Sequence, residues 1–364
     1  MQLKIKTEKL KEMVSRAVKG ASNNKLIPIT SLMAIELKDN TLTLTTTDAT
    51  NYLYIKEEKV EGDDFYVVVP VEQFAKLIAR LTCEVVELKL SEKMNVLEVT
   101  GNGHYNIELP MDEEGETIKY PNPLESVELD ESKAVDVNAS TIQAILTSVK
   151  PSLATTLEIP CYTGYYVGDK VVGTDTYKIA SMDVKVSDEP MLVSQEMMNL
   201  LDVMTSEKIK MQTFDDVVVF TSPDCVVYGN KMEGIDDFSI DAISGLVDSS
   251  FNSKCSVSKA GLLQVLDRLS LFVGTYDKNG IQLTFTKEGL QVSSKSSSGV
   301  EIIKYLSSDK FKNFTCMIDI VSLATQVKAQ VGDAVNIYYG EDNAIKMVDG
   351  NLTQVLALMS DGEE

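Results

Sequence analysis

The chain has 364 residues, enough for two or three domains and more than one ordinary hydrophobic core accommodates. Its formal net charge of −21 argues against a nucleic-acid partner, because phosphate contacts usually need an excess of Lys and Arg. No apolar run approaches the ~20 residues of a membrane helix, and the first residues lack the apolar core of a secretory signal. We therefore expect a cytoplasmic protein without a membrane partner.

The cysteines are odd in number and scattered, and none forms a C-x-x-C pair. This usage predicts reduced thiols and neither a disulfide framework nor a zinc site. The five positions are Cys83, Cys161, Cys225, Cys255 and Cys316.

The first third of the chain predicts a short strand, an amphipathic helix, alternating strands, a second helix and further strands. In the first helix, over residues 7–22, apolar side chains recur at i, i+3, i+4 and i+7 from Leu10 to Ala17, which is typical of one buried face. The second helix is predicted over 71–82. The strands are predicted over 31–37, 41–47, 51–57, 85–90, 96–100 and 105–109.

The same order of elements recurs twice more. Helices are predicted over 138–150 and 194–206, and again over 258–272 and 318–330. Ser258 is the predicted N-cap of the helix at 258–272. Candidate linkers lie at 118–133 and 242–254. We therefore predict an α+β protein of three tandem repeats of a two-helix, antiparallel-sheet domain. The predicted domains are 1–125, 126–248 and 249–364.

A short motif repeats at the close of one strand in the first two copies. Thr47-Asp48 precedes the strand at 51–57, and Thr174-Asp175 precedes a strand that begins near Lys178. We expect each Asp to cap a tight turn through side-chain hydrogen bonds. The recurrence of the whole context supports duplication.

The predicted helices are weakly basic in sum, in a strongly acidic chain. Lys9, Glu12, Arg16 and Lys19 lie opposite the apolar stripe of the first helix, and Lys76 and Arg80 are spaced i, i+4 on the second. In a single helix such residues are usually a solvated face. Over three repeats they favour one basic surface lined by helices, although the fourth helix, with two acids, does not fit it.

Catalytic motifs are absent from the sequence: there is no G-x-G-x-x-G, P-loop, H-E-x-x-H or nucleophile elbow. The one histidine, His104, lies in a predicted turn, where solvent exposure is more common than catalysis. Acidic pairs occur at 63–64, 112–114, 215–216 and 236–237, mostly in turns that favour Asp for local reasons. We expect no catalysis, metal or cofactor; a metal-dependent enzyme acting through one such pair is a less favoured alternative.

Three segments resemble the bacterial DNA polymerase III beta subunit, the beta sliding clamp. They are Leu26-Ile27-Pro28-Ile29, Thr45–Asp48 and Gly173–Ala180, the first similar to the family's L-P-I-L segment and the last to its T-D-G-H-R-L-A segment. The resemblance implies the DNA clamp fold and a head-to-tail homodimer, closed into a ring whose helices line the hole around double-stranded DNA. It also implies that a DNA polymerase, a clamp loader and repair proteins dock a short hydrophobic peptide between the second and third domains.

The resemblance, with the charge pattern of the helices, implies three sets of residues. The peptide site would comprise Tyr166, Thr174, Thr176, Tyr177, Lys178, Ile179, Asp319, Ser322, Ile345, Leu356, Ala357, Leu358 and Met359. The DNA-facing set would comprise Lys9, Arg16, Asn24, Lys25, Lys76, Arg80 and Arg268. The dimer contact would comprise Tyr105, Leu271 and Phe272.

The sequence departs from the family's pattern at the peptide site. Thr176-Tyr177-Lys178 replaces the usual Gly-His-Arg, and the stretch Val355–Ser360, followed by the acidic residues 361–364, replaces a C-terminus with a proline near its end. Such departures are typical of a divergent or viral member, and we expect its preferred peptide to differ. The alternative is an acidic scaffold of the same repeats that binds partners without encircling DNA.

Overall fold

A computed structural model describes residues 1–91, 95–112, 114–274, 278–295, 298–341 and 343–360. The acidic run at 112–114 and the acidic residues 361–364 fall wholly or partly outside the described residues.

Helices and antiparallel strands alternate along the chain. The first third forms β1 Gln2–Lys6, α1 Thr7–Ala17, β2 Leu32–Lys38, β3 Thr41–Thr47, β4 Asn51–Glu58, β5 Phe65–Pro70, α2 Val71–Arg80, β6 Val85–Ser91, β7 Val96–Thr100 and β8 His104–Glu108. The second third forms β9 Val135–Asn138, α3 Ala139–Ser148, β10 Tyr165–Val167, β11 Val171–Thr174, β12 Lys178–Met182, β13 Met191–Val193, α4 Gln195–Leu201, β14 Lys208–Thr213, β15 Val217–Ser222 and β16 Cys225–Asn230.

The last third begins with a helix that has no counterpart in the first two. It forms α5 Ile240–Val247, β17 Ser253–Ser258, α6 Lys259–Leu269, β18 Gly280–Phe285, β19 Leu290–Ser294, β20 Val300–Ile303, β21 Ser307–Asp309, β22 Phe314–Asp319, α7 Ile320–Ala329, β23 Ala334–Tyr339, β24 Ala344–Asp349 and β25 Leu352–Ala357.

The predicted helices form, with shorter bounds. In α1 the buried side chains include Leu10 and Ala17, as the spacing predicts, and the helix then tightens into a 3₁₀ turn at Val18–Gly20. The hydroxyl of Ser258 accepts a hydrogen bond from the Gly261 N–H at 3.2 Å, which confirms its role as an N-cap.

The predicted linker at 242–254 is wrong in its first half, because α5 occupies it. Ile240, Ile243 and Val247 recur at helical spacing and pack into a core with Phe238. At the C-terminal end of α5, the Lys346 ammonium donates hydrogen bonds to the carbonyl oxygens of Val247 and Ser249, so a distant cation satisfies part of the helix end. The sequence around α5 gives no indication of this contact with Lys346.

The sheets follow one rule in all three repeats. Each repeat supplies two runs of four hydrogen-bonded strands: β5-β2-β3-β4 and β1-β6-β7-β8, then β13-β10-β11-β12 and β9-β14-β15-β16, then β22-β18-β19-β20 and β17-β23-β24-β25. The last strand of one run joins the last strand of a run in the next repeat. Thus β4 pairs with β16 and β12 pairs with β25, while β8 and β20 end their sheets.

The described chain forms two compact units that follow these joined sheets. The first comprises Met1–Ile142 and Glu196–Lys231 and holds the eight-stranded sheet. The second comprises Gln143–Gln195 and Met232–Glu364 and holds the nine-stranded sheet, which β21 extends. A strand pairing crosses each repeat boundary, so the two compact units follow the joined sheets and do not coincide with the three repeats. The division into three domains therefore remains a prediction.

Each unit has its own packed interior. Phe74, Ile78 and Met197 are fully buried in the first unit and form part of its core. In the second unit the rings of Phe285 and Tyr339 stack with centroids 3.8 Å apart. None of the helices within the described ranges is long and apolar enough to cross a membrane.

Candidate functional site

The second unit contains a cavity of about 730 Å³ beside the end of β25. Its wall is formed by the residues after β25, the turn before β12, the first turn of α7 and the residues before β18. The lining comprises Asp175, Tyr177, Lys278, Asn279, Asp319, Val321, Ser322, Leu356, Ala357, Leu358, Met359 and Ser360.

The turn between β11 and β12 presents Tyr177 to this cavity. One carboxylate oxygen of Asp175 accepts hydrogen bonds from the backbone N–H groups of Tyr177 at 3.0 Å and Lys178 at 2.9 Å. The other pairs with the Lys178 ammonium. The bracing leaves the Tyr177 side chain 74% exposed. Asp48 makes the corresponding bonds to Thr50 and Asn51, so both predicted turn caps are confirmed.

The segment after β25 forms the apolar floor of the cavity. The N–H of Ala357 donates to the Tyr177 carbonyl at 2.9 Å, and the N–H of Met359 donates to the Met317 carbonyl at 2.9 Å. The segment thereby passes from the nine-stranded sheet to the free edge of β22. Its backbone is held at both ends, so Leu356, Leu358 and Met359 keep fixed places in the wall.

The start of α7 supplies the polar side of the cavity. Asp319 caps the helix by accepting the Ser322 N–H at 2.5 Å, and Lys278 lies in the same wall. Between these polar groups, the Val321 side chain is more than half exposed. The cavity therefore combines an apolar floor with a polar rim, the usual form of a peptide site.

Seven of the predicted peptide-site residues line the cavity together: Tyr177, Asp319, Ser322, Leu356, Ala357, Leu358 and Met359. The other six are not part of the lining. Tyr166 and Ile179 are buried in a core where Tyr166 stacks on Phe238, and Ile345 is fully buried in another. Thr174, Thr176 and Lys178 brace the turn through hydrogen bonds.

The predicted peptide site did not include five of the residues that line the cavity: Asp175, Lys278, Asn279, Val321 and Ser360. Two carried a usable signal. Val321 lies between Asp319 and Ser322 in an exposed first helical turn, and Ser360 follows a predicted wall strand directly. Lys278 and Asn279 reach the cavity through tertiary packing, and nothing in their local sequence indicates it.

The predicted DNA-facing set divides into engaged and exposed cations. Arg16 does not suit phosphate contact, because its side chain is 11% exposed, donates to the Val203 carbonyl at 3.0 Å and pairs with Asp224 at 2.7 Å. Lys9 pairs with Glu57 at 2.9 Å. Both are held by segments far away in sequence, which helix spacing cannot reveal.

The remaining residues of that set are more accessible. Lys25, Asn24 and Arg80 are exposed, and Lys76 is exposed while paired with Glu72 on its own helix. Arg268 is half-exposed and makes a two-point pair with Glu301, at 2.8 and 2.6 Å. The first unit holds the exposed cations Lys76 and Arg80 on α2 and Lys25 in the loop after α1, whereas the second unit holds Arg268.

Stretches of the sequence without Asp or Glu, which were not used in the prediction, indicate a helix surface of low negative charge. The three longest stretches without Asp or Glu are residues 13–35, 137–157 and 249–266. Each stretch covers part or all of the first helix of a repeat: residues 13–17 of α1, all of α3 and residues 259–266 of α6. Low negative charge on part of the first helix is thus common to all three repeats.

The predicted dimer-contact residues lie at the two strands that end their sheets. Tyr105 is partly exposed on β8, in the first unit. In the second unit, Leu271 and Phe272 are exposed in a 3₁₀ turn after α6, and Phe272 lies beside Gly299 at the start of β20. Val300 and Ile302 on β20 are also half-exposed and were not predicted.

Over the described part of the chain, no three His, Cys, Asp or Glu side chains gather as a metal-binding group. The acidic pair at 63–64 holds backbone that is distant in sequence: Asp63 accepts the Gln2 N–H and Asp64 the Asp39 N–H. All five cysteines are free thiols.

Comparison with known proteins agrees with this architecture. Residues 1–119 match the family model of the DNA polymerase III beta subunit, N-terminal domain. A beta sliding clamp of Staphylococcus epidermidis is 21% identical over 318 residues, 81% of each chain. The DNA polymerase sliding clamp of Bacillus subtilis superposes with a TM-score of 0.84 at 17% identity, covering 100% of both chains. The beta subunit from the DNA polymerase of Streptococcus pyogenes gives 0.87 at 16% identity, over 99% of this chain and 100% of that one. Residues 1–119 are therefore similar to the N-terminal domain of the DNA polymerase III beta subunit, and the whole chain has the fold of these bacterial sliding clamps.

Proposed function

We propose that this protein is a DNA sliding clamp, a non-catalytic ring that encircles duplex DNA and tethers a DNA polymerase. The clamp loader and repair proteins would use the same docking site, in the cytoplasm. The observation that carries the proposal is the cavity beside β25, where seven of the residues implied by the resemblance converge.

The cavity suits a short hydrophobic peptide. Leu356, Leu358 and Met359 offer an apolar floor that would bury one or two peptide side chains, and binding energy usually concentrates in such anchors. Asp319 and Lys278 at the rim can orient the peptide backbone or its polar side chains. Tyr177 stands where the clamp family usually has histidine and gives the site a different shape. We therefore expect a peptide preference that differs from that family's usual glutamine-leucine-x-leucine-phenylalanine pattern.

Ring closure is supported by the pairing rule of the sheets. Within the chain, β4 joins β16 and β12 joins β25, and these strands hold equivalent places in successive repeats. The same rule, applied once more, joins β20 of one copy to β8 of a second copy. Two copies then close head to tail into six domains, and the apolar side chains near both edges become buried.

A DNA passage lined by helices is supported by the acid-free stretches. Residues 13–35, 137–157 and 249–266 place low negative charge at the first helix of every repeat, while the chain as a whole carries −21. Exposed Lys25, Lys76 and Arg80 can meet phosphates without reading sequence. A ring holds DNA by topology, so a few exchangeable contacts suffice and permit sliding.

The docking site is tested by titrating a fluorescent leucine-phenylalanine peptide from a replicative polymerase against wild type and Met359→Asp. Placing a carboxylate on the apolar floor should weaken binding by about 2 kcal/mol or more, roughly thirtyfold. Val331→Asp, on an exposed residue of the same unit outside the cavity, is the matched control and should bind as wild type does. Equal affinity of all three proteins, with the fold intact by circular dichroism, would place the site elsewhere.

A further inference from the structure

Two loops in different repeats share one hydrogen-bonded scaffold. The loop at 22–30 is closed by the Ser22 N–H donating to the Thr30 carbonyl at 2.9 Å, and the loop at 154–162 by the Ala154 N–H donating to the Tyr162 carbonyl at 2.9 Å. Each loop follows the first helix of its repeat and leads into a 3₁₀ turn that begins with proline. The two loops therefore align position by position.

The interior bonds of the loops agree as well. Thr30 donates its N–H to the Ile27 carbonyl at 3.1 Å, and Tyr162 donates its N–H to the Ile159 carbonyl at 3.0 Å. Ile27 and Ile159 are almost equally exposed, at 39% and 40%. The exposed isoleucine before proline is therefore common to both loops, and the scaffold accounts for it.

Leu26 is not explained in this way. Its equivalent in the second loop is Glu158, so the scaffold tolerates a charged side chain at that position. Yet Leu26 is 91% exposed and rigidly presented, since Asn24 Oδ1 accepts its N–H at 3.0 Å and the Asn24 carbonyl accepts the Ile27 N–H at 3.0 Å. Leu26, Ile27 and Pro28 form a contiguous exposed apolar tip, and the second loop likewise exposes Leu157 (77%) near Ile159. Contiguous apolar surface held in water by an ordered loop indicates a contact surface.

The charge around Leu26 indicates what it contacts. It lies in the acid-free stretch 13–35, next to exposed Lys25 and after exposed Lys19. A partner for this tip should be a polyanion that also offers apolar surface. Duplex DNA has both, because sugars and base edges lie between the phosphates in its grooves.

We propose that Leu26 is an apolar DNA contact, packing into the groove while Lys25 meets an adjacent phosphate. The inference rests on the proposed function and adds the chemical nature of one contact. Lys25 displaces counterions and is sensitive to salt, whereas burial of Leu26 contributes equally at every salt concentration. The contact would be independent of DNA sequence, so it remains compatible with sliding.

The test is fluorescence anisotropy of a labelled 30-base-pair duplex, titrated with each protein over a series of NaCl concentrations. Leu26→Ala should bind about three- to tenfold more weakly at every salt concentration, with the slope of log K against log salt unchanged. Lys25→Ala should reduce that slope by about one. Leu129→Ala, an exposed leucine flanked by Glu128 and Asp130, is the matched control and should leave binding unchanged.

The variants distinguish failure of this inference from failure of the clamp proposal. Leu26→Glu should fold, because the equivalent loop carries Glu158, and should bind more weakly than Leu26→Ala. If wild type binds the duplex and Leu26→Ala binds equally well, or if Leu26→Ala alters the salt slope, the inference is overturned. It is also overturned if Leu26→Ala loses binding to phosphatidylserine vesicles and keeps duplex binding. Absence of salt-dependent duplex binding by wild type would also overturn the inference, whereas the DNA-encircling function is tested separately, by retention on circular DNA.

Discussion

Arg16 Nη1 lies 2.7 Å from Asp224 Oδ2 and joins α1 to the turn between β15 and β16. The Arg16 Nε–H also donates to the Val203 carbonyl at 3.0 Å, so one side chain ties three segments of the first unit together. The helix pattern predicted a DNA-facing arginine here. The structure instead assigns Arg16 a role in holding α1 to strands of the second repeat.

Arg16→Ala should lower the free energy of unfolding by about 1–3 kcal/mol, because it leaves a partly buried carboxylate and a carbonyl without their charged donor. Burial alone would raise the pKa of Asp224, but the hydrogen bond and charge of Arg16, together with hydrogen bonds from Ser222 and Thr205, outweigh it, and the pKa is lowered. A lowered pKa in the folded state stabilises the fold above about pH 4 and ceases to do so as pH falls through the folded-state value.

Urea unfolding of wild type and Arg16→Ala at pH 7 and pH 3 measures both effects: the difference between the two proteins should shrink at pH 3. Lys9→Ala removes the more exposed pair with Glu57 and is the control, with an expected loss below about 1 kcal/mol. Equal losses for the two variants at pH 7 would contradict the assigned role of Arg16.

Thr176→Gly should stabilise the protein. Thr176 has φ +79°, in the left-handed region that a β-branched residue rarely adopts, at a cost of about 1–3 kcal/mol that glycine avoids. Glycine loses more backbone entropy on folding, so we expect a net gain of about 0.5–1 kcal/mol and a higher Tm by calorimetry. Ala49→Gly, at φ +93° in the equivalent turn, is the companion variant, and a fall in Tm for both would refute the strain argument.

One thiol of five should react quickly with a disulfide reagent at pH 8. Burial raises the pKa of Cys225, Cys255 and Cys316 to about 12 and also raises that of Cys161, so few thiolates form there. Cys83 is partly exposed beside the Thr7 hydroxyl. Cys83→Ser should abolish the fast phase of the spectrophotometric assay. A fast phase of equal size in this variant would show that a buried thiol is accessible.

Leu271→Asp should convert the dimer into monomers at micromolar concentration, because closing the proposed interface would bury an unpaired carboxylate. Leu271 is 82% exposed in the single chain, so the substitution should leave folding intact. Val331→Asp, on a residue exposed to the same extent, is the control and should remain dimeric in sedimentation velocity. A Leu271→Asp dimer as stable as wild type would move the interface away from β20.

The sequence predicts the repeats and most elements because their signals are local. Apolar side chains at helical spacing mark α1, alternation marks β3 at Thr41–Thr47, and Thr-Asp marks the turns of Asp48 and Asp175. The apolar half of the cavity is also predictable, since Leu356, Leu358 and Met359 lie in one continuous stretch that the resemblance covers.

The rest depends on contacts between distant segments. Lys278 enters the cavity, Lys346 satisfies the end of α5, and Arg16 turns to Asp224, each through packing that no window of sequence contains. Ile345 was placed in the peptide site by the resemblance alone and is fully buried outside the cavity lining, because a resemblance does not show which side chains of this chain meet the cavity.

The most direct test of a ring around DNA is retention on nicked circular duplex compared with the same duplex made linear. Dimer formation from dilute monomers in the presence of the circle allows DNA to be enclosed without a loader. The proposed function predicts that wild type stays on the circle through gel filtration in 0.5 M NaCl and is released once a restriction enzyme linearises it. Equal retention on circular and linear DNA, or none on either by a protein shown to be dimeric, would contradict it.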